Sequence, residues 1–328
     1  MSRRIKRREF VVLLGGAAAA WPLAARAQQA AMPVIGYFSA RSPDTEAPLR
    51  EPFLRALEKL GFAAGRNIAI EYRFAEGQEA RLPALAAELV GRRVAMLVAT
   101  DRPSALAARA ATGTIPIVFA SGFDPVQSGL VASFNRPGGN ATGVSLLTTE
   151  LGPKRLGLLR EILPKPGTIA FVVNANTAST PYQIQEMEAA AQALGQPLLV
   201  VSVGTEEEAD KAKMAERNIA AVLYGTTLLF QVMTDRLVTL AARYRIPALY
   251  EWREFVTAGG LMSYSTDRDE AGREAGIYAG RILKGEKPAD LPVVQSSRFE
   301  FVINLKTAKA LGLELPLHLL QLADELIE

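Results

Sequence analysis

Thr114–Ile115–Pro116–Ile117–Val118 returns later in the chain as Arg245–Ile246–Pro247–Ala248–Leu249. Each is an apolar run behind a proline, and each follows a helical stretch, Pro103 to Ala111 in one case and Thr234 to Tyr244 in the other. Val94–Ala95–Met96–Leu97–Val98 likewise has a counterpart in Ala220–Ala221–Val222–Leu223–Tyr224. Working outward, the first half reads as strand 34–38, helix 49–60, strand 67–72, helix 82–90, strand 94–98, helix 103–111 and strand 115–119. The second half repeats the order: strand 168–173, helix 181–194, strand 197–201, helix 206–216, strand 219–224, helix 234–244 and strand 246–250. Alternation with short connections predicts doubly wound α/β lobes. The strands lack polar alternation, as expected where helices cover both faces of a parallel sheet.

Three glycine-bearing segments read as crossings between the lobes. They are Pro137–Gly138–Gly139–Asn140–Ala141–Thr142–Gly143–Val144–Ser145, then 258–264, then 285–292 after a helix over 268–283. Several crossings would form a hinge.

The N-terminus carries an export address. Lys6–Arg7–Arg8–Glu9–Phe10–Val11–Val12 resembles the twin-arginine signature, an apolar segment follows to Ala25, and Ala25–Arg26–Ala27 offers a cleavage site. Residues 1–27 are therefore expected to be a twin-arginine signal peptide and the mature protein to reside in the periplasm, without stable membrane insertion after cleavage. The leader holds six basic residues against Glu9. Subtracting that +5 from the chain's +3 leaves −2 on residues 28–328. The basic balance thus sits in a discarded piece, which argues against nucleic acid as a partner. There is no cysteine, so no disulfide and no thiol nucleophile. The single histidine, His318, leaves almost no material for a metal site or a Ser–His triad and is expected on the surface of the last helix. No cofactor or metal is expected.

In open parallel sheets ligands sit beyond the carboxyl ends of the strands. That rule selects Ser39, Arg41, Asp101, Arg102, Ser104, Ser121, Phe123 and Asp124 from the first half. From the second half it selects Asn174, Asn176, Tyr182, Tyr224, Thr226 and Trp252. Hydroxyls, amides, a few charges and aromatic rings suit a small polar molecule with an apolar body, and helix starts behind the loops suit a carboxylate. Plainer roles compete with these. Ser104 and Thr177 read equally as helix caps, Asp124 as a turn cap before Pro125, and Arg41 and Arg102 as rim charges. Trp252 and Tyr224 read equally as core. Glu251 and Glu254, three apart, read as a solvated turn of helix rather than an acid–base pair. Phosphate-loop, dinucleotide and nucleophile-elbow motifs are missing from the sequence.

Several segments together carry a family resemblance. They are Ile35–Gly36, Leu82–Pro83–Ala84–Leu85–Ala86, Asp124–Pro125–Val126, Asn135 to Gly143, Tyr250–Glu251–Trp252–Arg253–Glu254–Phe255, Phe301–Val302–Ile303–Asn304 and the following Leu305–Lys306–Thr307–Ala308. With the leader, they resemble the ABC transporter substrate-binding proteins related to tryptophan- and tyrosine-binding periplasmic components. The resemblance runs through the mature chain. It implies a monomeric two-lobed receptor of the type I periplasmic-binding-protein fold, which closes on a small molecule and presents the closed form to an ABC permease in the inner membrane. It also implies lobe one over 33–143 plus 263–286, lobe two over 144–260 plus 290–328, and Asp124 facing an aromatic or branched-chain amino acid or an aromatic acid. A periplasmic sensory receptor and a periplasmic enzyme are the rival readings.

Overall fold

Buried β-branched and aromatic residues build the first sheet. In the computed structural model, which describes residues 32–205, 207–208 and 219–328, β1 (Val34–Ser39) pairs in parallel with β2 (Ala69–Phe74) and β3 (Met96–Ala99). Then β4 (Ile117–Ser121) adds to β3, and β5 (Ala141–Ser145) adds to β4. The two residues of β11 (Val294–Gln295) close the far edge, giving the order β11-β5-β4-β3-β1-β2. Helices α1 (Pro43–Lys59), α2 (Leu82–Gly91) and α3 (Arg102–Ala111) connect these strands. The expected leader lies outside the described residues, as does the helix expected over 206–216 apart from Glu207 and Glu208.

The second sheet contains β6 (Thr168–Asn174), β7 (Leu198–Val203), β8 (Ile219–Tyr224), β9 (Ala248–Tyr250), β10 (Met262–Thr266), β12 (Phe299–Asn304) and β13 (Glu325–Ile327). Its order is β13-β12-β10-β9-β8-β6-β7, and only the β10–β12 pair is antiparallel. Around it lie α4 (Gly152–Glu161), α5 (Thr180–Leu194), α6 (Leu228–Val232), α7 (Thr234–Tyr244), α8 (Arg253–Thr257), α10 (Leu305–Leu311) and α11 (Leu317–Leu322). His318 on α11 is exposed, with Nε2 2.5 Å from Glu161 Oε2. The molecule is thus a two-lobed α/β protein of parallel sheets flanked by helices.

One long helix, α9 (Arg268–Leu283), leaves the second sheet and packs on α1 of the first. Its glycines recur every fourth residue, on one face. A Cβ at Gly272 would lie 2.3 Å from Leu49 O, and one at Gly276 would lie 2.4 Å from Phe53 O. Only glycine lets the two backbones approach this closely, and the approach helps to seal Leu49, Phe53 and Leu57 into the core. Full burial of such side chains stabilises by about 1.5–3 kcal/mol each.

Three crossings join the sheets, and strand pairing places them a few residues from where the glycines suggest. The first follows Ser145, because 141–145 is β5. Gly143 serves that strand: a Cβ there would stand 1.9 Å from Phe119 O. The second falls at Thr266–Asp267 rather than 258–264, since β10 pairs with β9 at Met262 and Ser263 and with β12 through Met262–Thr266. The third falls at 296–298 rather than 285–292, since Val294 and Gln295 pair with Val144 and Ser145. Sheet membership therefore gives 144–145 and 294–295 to the first lobe and 263–266 to the second. The three crossings are tied together: Ser296 N donates to Ser145 O at 2.9 Å, Asp267 N donates to Arg298 O at 3.0 Å, and Thr266 Oγ1 donates to Leu146 O.

Candidate functional site

The carboxyl ends of strands from both sheets converge on a cavity of about 260 Å³. Ala40 and Arg41 reach it from the end of β1, Thr100 and Asp101 from β3, and Ser121, Gly122 and Phe123 from β4. Opposite them stand Thr226, Thr227 and Leu228 beyond β8, Glu251 and Trp252 beyond β9, and Gln231 on α6. Leu146, Thr148, Thr149 and Arg268 come from the crossings and the start of α9. The volume is near the lower end of small-molecule pockets, and leucines with two aromatic rings make much of its lining apolar.

On the first-lobe wall, Asp101 is the N-cap of α3. Its Oδ1 accepts from Ser104 N at 2.8 Å, and Ser104 Oγ accepts in return from Asp101 N at 3.2 Å, a reciprocal capping box. Asp101 Oδ2 accepts from Ala40 N and from Ser39 Oγ, both at 2.7 Å. Behind it, Glu46 Oε1 accepts from Tyr37 OH at 2.8 Å, while Arg41 Nη1 lies 3.3 Å from Glu46 Oε2. Burial pushes the Glu46 carboxyl up, and Arg41 only partly offsets this. Arg41 Nη1 also donates to Thr100 O at 2.8 Å, and its Nε reaches across the cleft to Gln231 Oε1 at 3.1 Å. Arg41 is thus engaged by protein groups rather than presented as an open clamp. Arg102, 5.8 Å from the Phe123 ring centroid, makes no salt bridge among the described residues, and Glu79 on the same lining is the carboxylate it attracts.

The second-lobe wall differs. Tyr224 stacks on Tyr250 at 5.4 Å and Tyr250 on Phe255 at 4.7 Å, an aromatic column behind the wall. In front of it, the Arg268 guanidinium sits 4.3 Å from the Trp252 ring centroid and pairs with Glu254. Glu251 is 4% exposed, and Trp252 likewise 4%. Neither Glu251 Oε1 nor Trp252 Nε1 has a hydrogen-bond partner. Burial raises the Glu251 carboxyl, opposed by the charges of Arg155, Arg41 and Arg268 and by the nearby Gln231 side chain.

Of the candidate residues, the structure brings Arg41, Asp101, Arg102, Ser121, Phe123, Thr226 and Trp252 to the cavity. It places the others around it. Ser39 and Ser104 serve the Asp101 network just described. Asp124 Oδ1 accepts from Val126 N at 2.7 Å and Gln127 N at 3.0 Å, so this carboxylate caps a turn and does not line the cavity. Asn174 Nδ2 donates to Thr227 Oγ1 at 3.1 Å, Asn176 Nδ2 donates to Gly204 O at 3.2 Å, and Tyr182 stands outside the lining. Tyr224 is core, 4% exposed. Glu251 corrects the sequence reading: it precedes α8 instead of lying on it, and it faces the cavity instead of solvent. Its position immediately beyond β9 was the available signal. Gln231 gave none, since it lies within α6, and Arg268 was missed because the strand it follows by two residues, β10, was read as a crossing.

Comparison with known proteins agrees with this geometry. A tyrosine-binding protein of Clostridioides difficile (strain R20291) is 29% identical over 267 residues, spanning 81% of this chain and 76% of the relative. A conserved domain protein from Vibrio cholerae has a crystal structure matching at a TM-score of 0.83 with 26% identity, over 90% of this chain and 100% of that one. An ABC domain in complex with L-Trp from Streptococcus pneumonia matches at 0.82 with 24% identity, over 90% and 100%, and shares the fold. The model of the family described as ABC transporter substrate binding protein matches residues 42–327. The chain therefore belongs to the ABC transporter substrate binding protein family, whose defining task is to bind a substrate rather than to transform one.

Proposed function

We propose that this protein is the periplasmic solute-binding component of an ABC importer, taking a small amphipathic carboxylate such as an aromatic or branched-chain amino acid or an aromatic acid. The observation that carries the reading is a cavity shared by two lobes, apolar along Leu49, Leu106, Phe123, Leu146 and Leu228, with an unpaired guanidinium, Arg102, beside an aromatic ring. An apolar body with one anionic end matches that lining. The Arg41–Gln231 hydrogen bond joins the walls across the cleft, so the closed form has contacts of its own, and a ligand touching both walls shifts the population toward it. The closed form is the shape a permease would receive. The tyrosine-binding relative supports the amino-acid end of the substrate range.

The test is a thermal-shift screen of residues 28–328 against aromatic and branched-chain amino acids, hydroxybenzoates and other small carboxylates, followed by calorimetry. A ligand present at a hundred times its Kd stabilises the folded state by about 2.7 kcal/mol, which is easily read. Saturable binding of one class, with the ligand recovered unchanged, is the expected result. No shift from any carboxylate would overturn the substrate class, and a changed ligand would point to an enzyme.

A further inference from the structure

Some charged groups around the cleft are held in ion pairs, while Arg102, Arg155 and Glu251 form none among the described residues. Arg41 has Glu46, and Arg268 has Glu254. Asp101 is filled by backbone and hydroxyl donors. Glu251 has the attraction of Arg155 but no contact with it. Arg155 is buried behind the wall, donating Nε to Tyr264 O at 2.7 Å and Nη1 to Thr148 O at 3.3 Å, and it does not line the cavity. With Arg102 and Glu79, which also line the cavity, four guanidinium cations (Arg41, Arg102, Arg155, Arg268) face five carboxylates (Glu46, Glu79, Asp101, Glu251, Glu254). The surplus is one negative charge. Two buried carboxylate oxygens of this set have no donor, Glu251 Oε1 and Glu254 Oε2, and of the two residues only Glu251 lines the cavity.

A buried carboxylate oxygen is costly without a donor, and a charged donor satisfies it best. A ligand carboxylate would be repelled there. We propose that Glu251 receives a protonated amine of the ligand, so that the substrate is a zwitterion and not a simple organic acid. Trp252 Nε1, the unpartnered donor one residue on, is the matching group for an acceptor on the same ligand. The wall thus offers one acceptor and one donor side by side, the complement of an α-amino acid head. This deepens the amphipathic-carboxylate reading of the same cleft and rests on it.

Calorimetry on pairs that differ only in the amine tests the proposal: L-phenylalanine against 3-phenylpropanoate, L-tyrosine against 3-(4-hydroxyphenyl)propanoate, and L-leucine against 4-methylpentanoate. At least one amino acid should bind about 30-fold or more tighter than its deaminated partner. In Glu251→Gln, with an unchanged circular-dichroism spectrum, that advantage should shrink to a few-fold. Glu251→Asp, which keeps the charge on a shorter arm, should weaken binding yet retain the preference, and it serves if the glutamine variant does not fold. Deaminated acids binding as tightly as the amino acids would overturn the proposal while leaving the carboxylate reading intact. An undiminished preference in a folded Glu251→Gln would remove Glu251 from the amine. No binding by either member of any pair would overturn both readings.

Discussion

On the first-lobe wall of the cleft, Asp101 is met by Ser39, Ala40 and Ser104, and Glu46 by Tyr37 and Arg41. On the second-lobe wall, Glu251 Oε1 and Trp252 Nε1 meet nothing. Both walls are strand ends in parallel sheets, and both bury charge. The first uses its polar groups to hold loop and helix starts in place. The second leaves an acceptor and a donor open at the cavity, a cost that a native site bears where a ligand supplies the missing partner. Arg102 and the unpartnered Thr100 Oγ1 aside, the Glu46 and Asp101 carboxylates of the first wall are structural and Glu251 on the second is open to a ligand, so substitutions of the two sets should affect different observables.

The largest effect belongs to the first wall. Glu46→Ala would leave Arg41 buried without its counter-ion and Tyr37 OH without its acceptor, a loss of about 3–5 kcal/mol. Urea unfolding measures it directly, and a loss below about 1 kcal/mol would show the network to be dispensable. Asp101→Ala removes a helix cap and the acceptor for Ala40 N, with a smaller expected cost of about 1–2 kcal/mol in the same assay. If either variant kept full stability but lost ligand, the separation between the walls would fail.

On the second wall the readout is affinity. Trp252→Phe keeps a ring beneath the Arg268 guanidinium and removes only the open N–H donor together with part of the ring system. One hydrogen bond has a net value of about 0.5–1.5 kcal/mol, so affinity for the best ligand of the screen should fall about three- to tenfold by calorimetry. Unchanged affinity would mean that Nε1 stays unpaired even in the filled cleft.

The fold was legible because parallel strands covered on both faces must be apolar runs, and the repeat of Ile115–Pro116–Ile117 in Ile246–Pro247 exposed two lobes in one chain. The carboxyl-end rule reached both walls for the same reason: it depends on strand order and not on side-chain detail. Three things were not legible. Gly143 looks like a flexible crossing, yet its role is to let β5 lie against Phe119, a contact between segments distant in sequence. Asp124 looks like a ligand group, but its carboxylate is taken by the two amides that follow Pro125. Glu251 and Glu254 have helical spacing, and only the start of α8 at Arg253 separates them into a buried and a paired residue. Burial of a charge is decided by tertiary packing, which spacing along the chain does not encode.

The smallest expected effect is a change in slope with pH, and it compares carboxylates directly. Burial holds Glu46 and Glu251 above the usual carboxylate range, the former against Arg41 and the latter against Arg155, Arg41 and Arg268. A carboxylate raised on folding binds more protons folded than unfolded, so its contribution is fully present below the unfolded pKa and is lost as pH rises through the folded one. Glu270 behaves oppositely. Burial pushes it up, but donors from Ser296, Arg298 and Ser297 outweigh burial and hold it low, so its contribution is lost as pH falls through the folded pKa. Denaturation across a pH series should therefore show Glu270→Gln flattening the acid limb and Glu251→Gln flattening the decline toward neutrality. Saturating amino acid should mimic the second change in the unaltered protein, because an ammonium beside Glu251 favours its ionised form and draws its pKa back down. Superimposable profiles for Glu251→Gln and the unaltered protein would show that this carboxylate does not titrate as a buried group, and the contrast between the walls would then rest on hydrogen bonding alone.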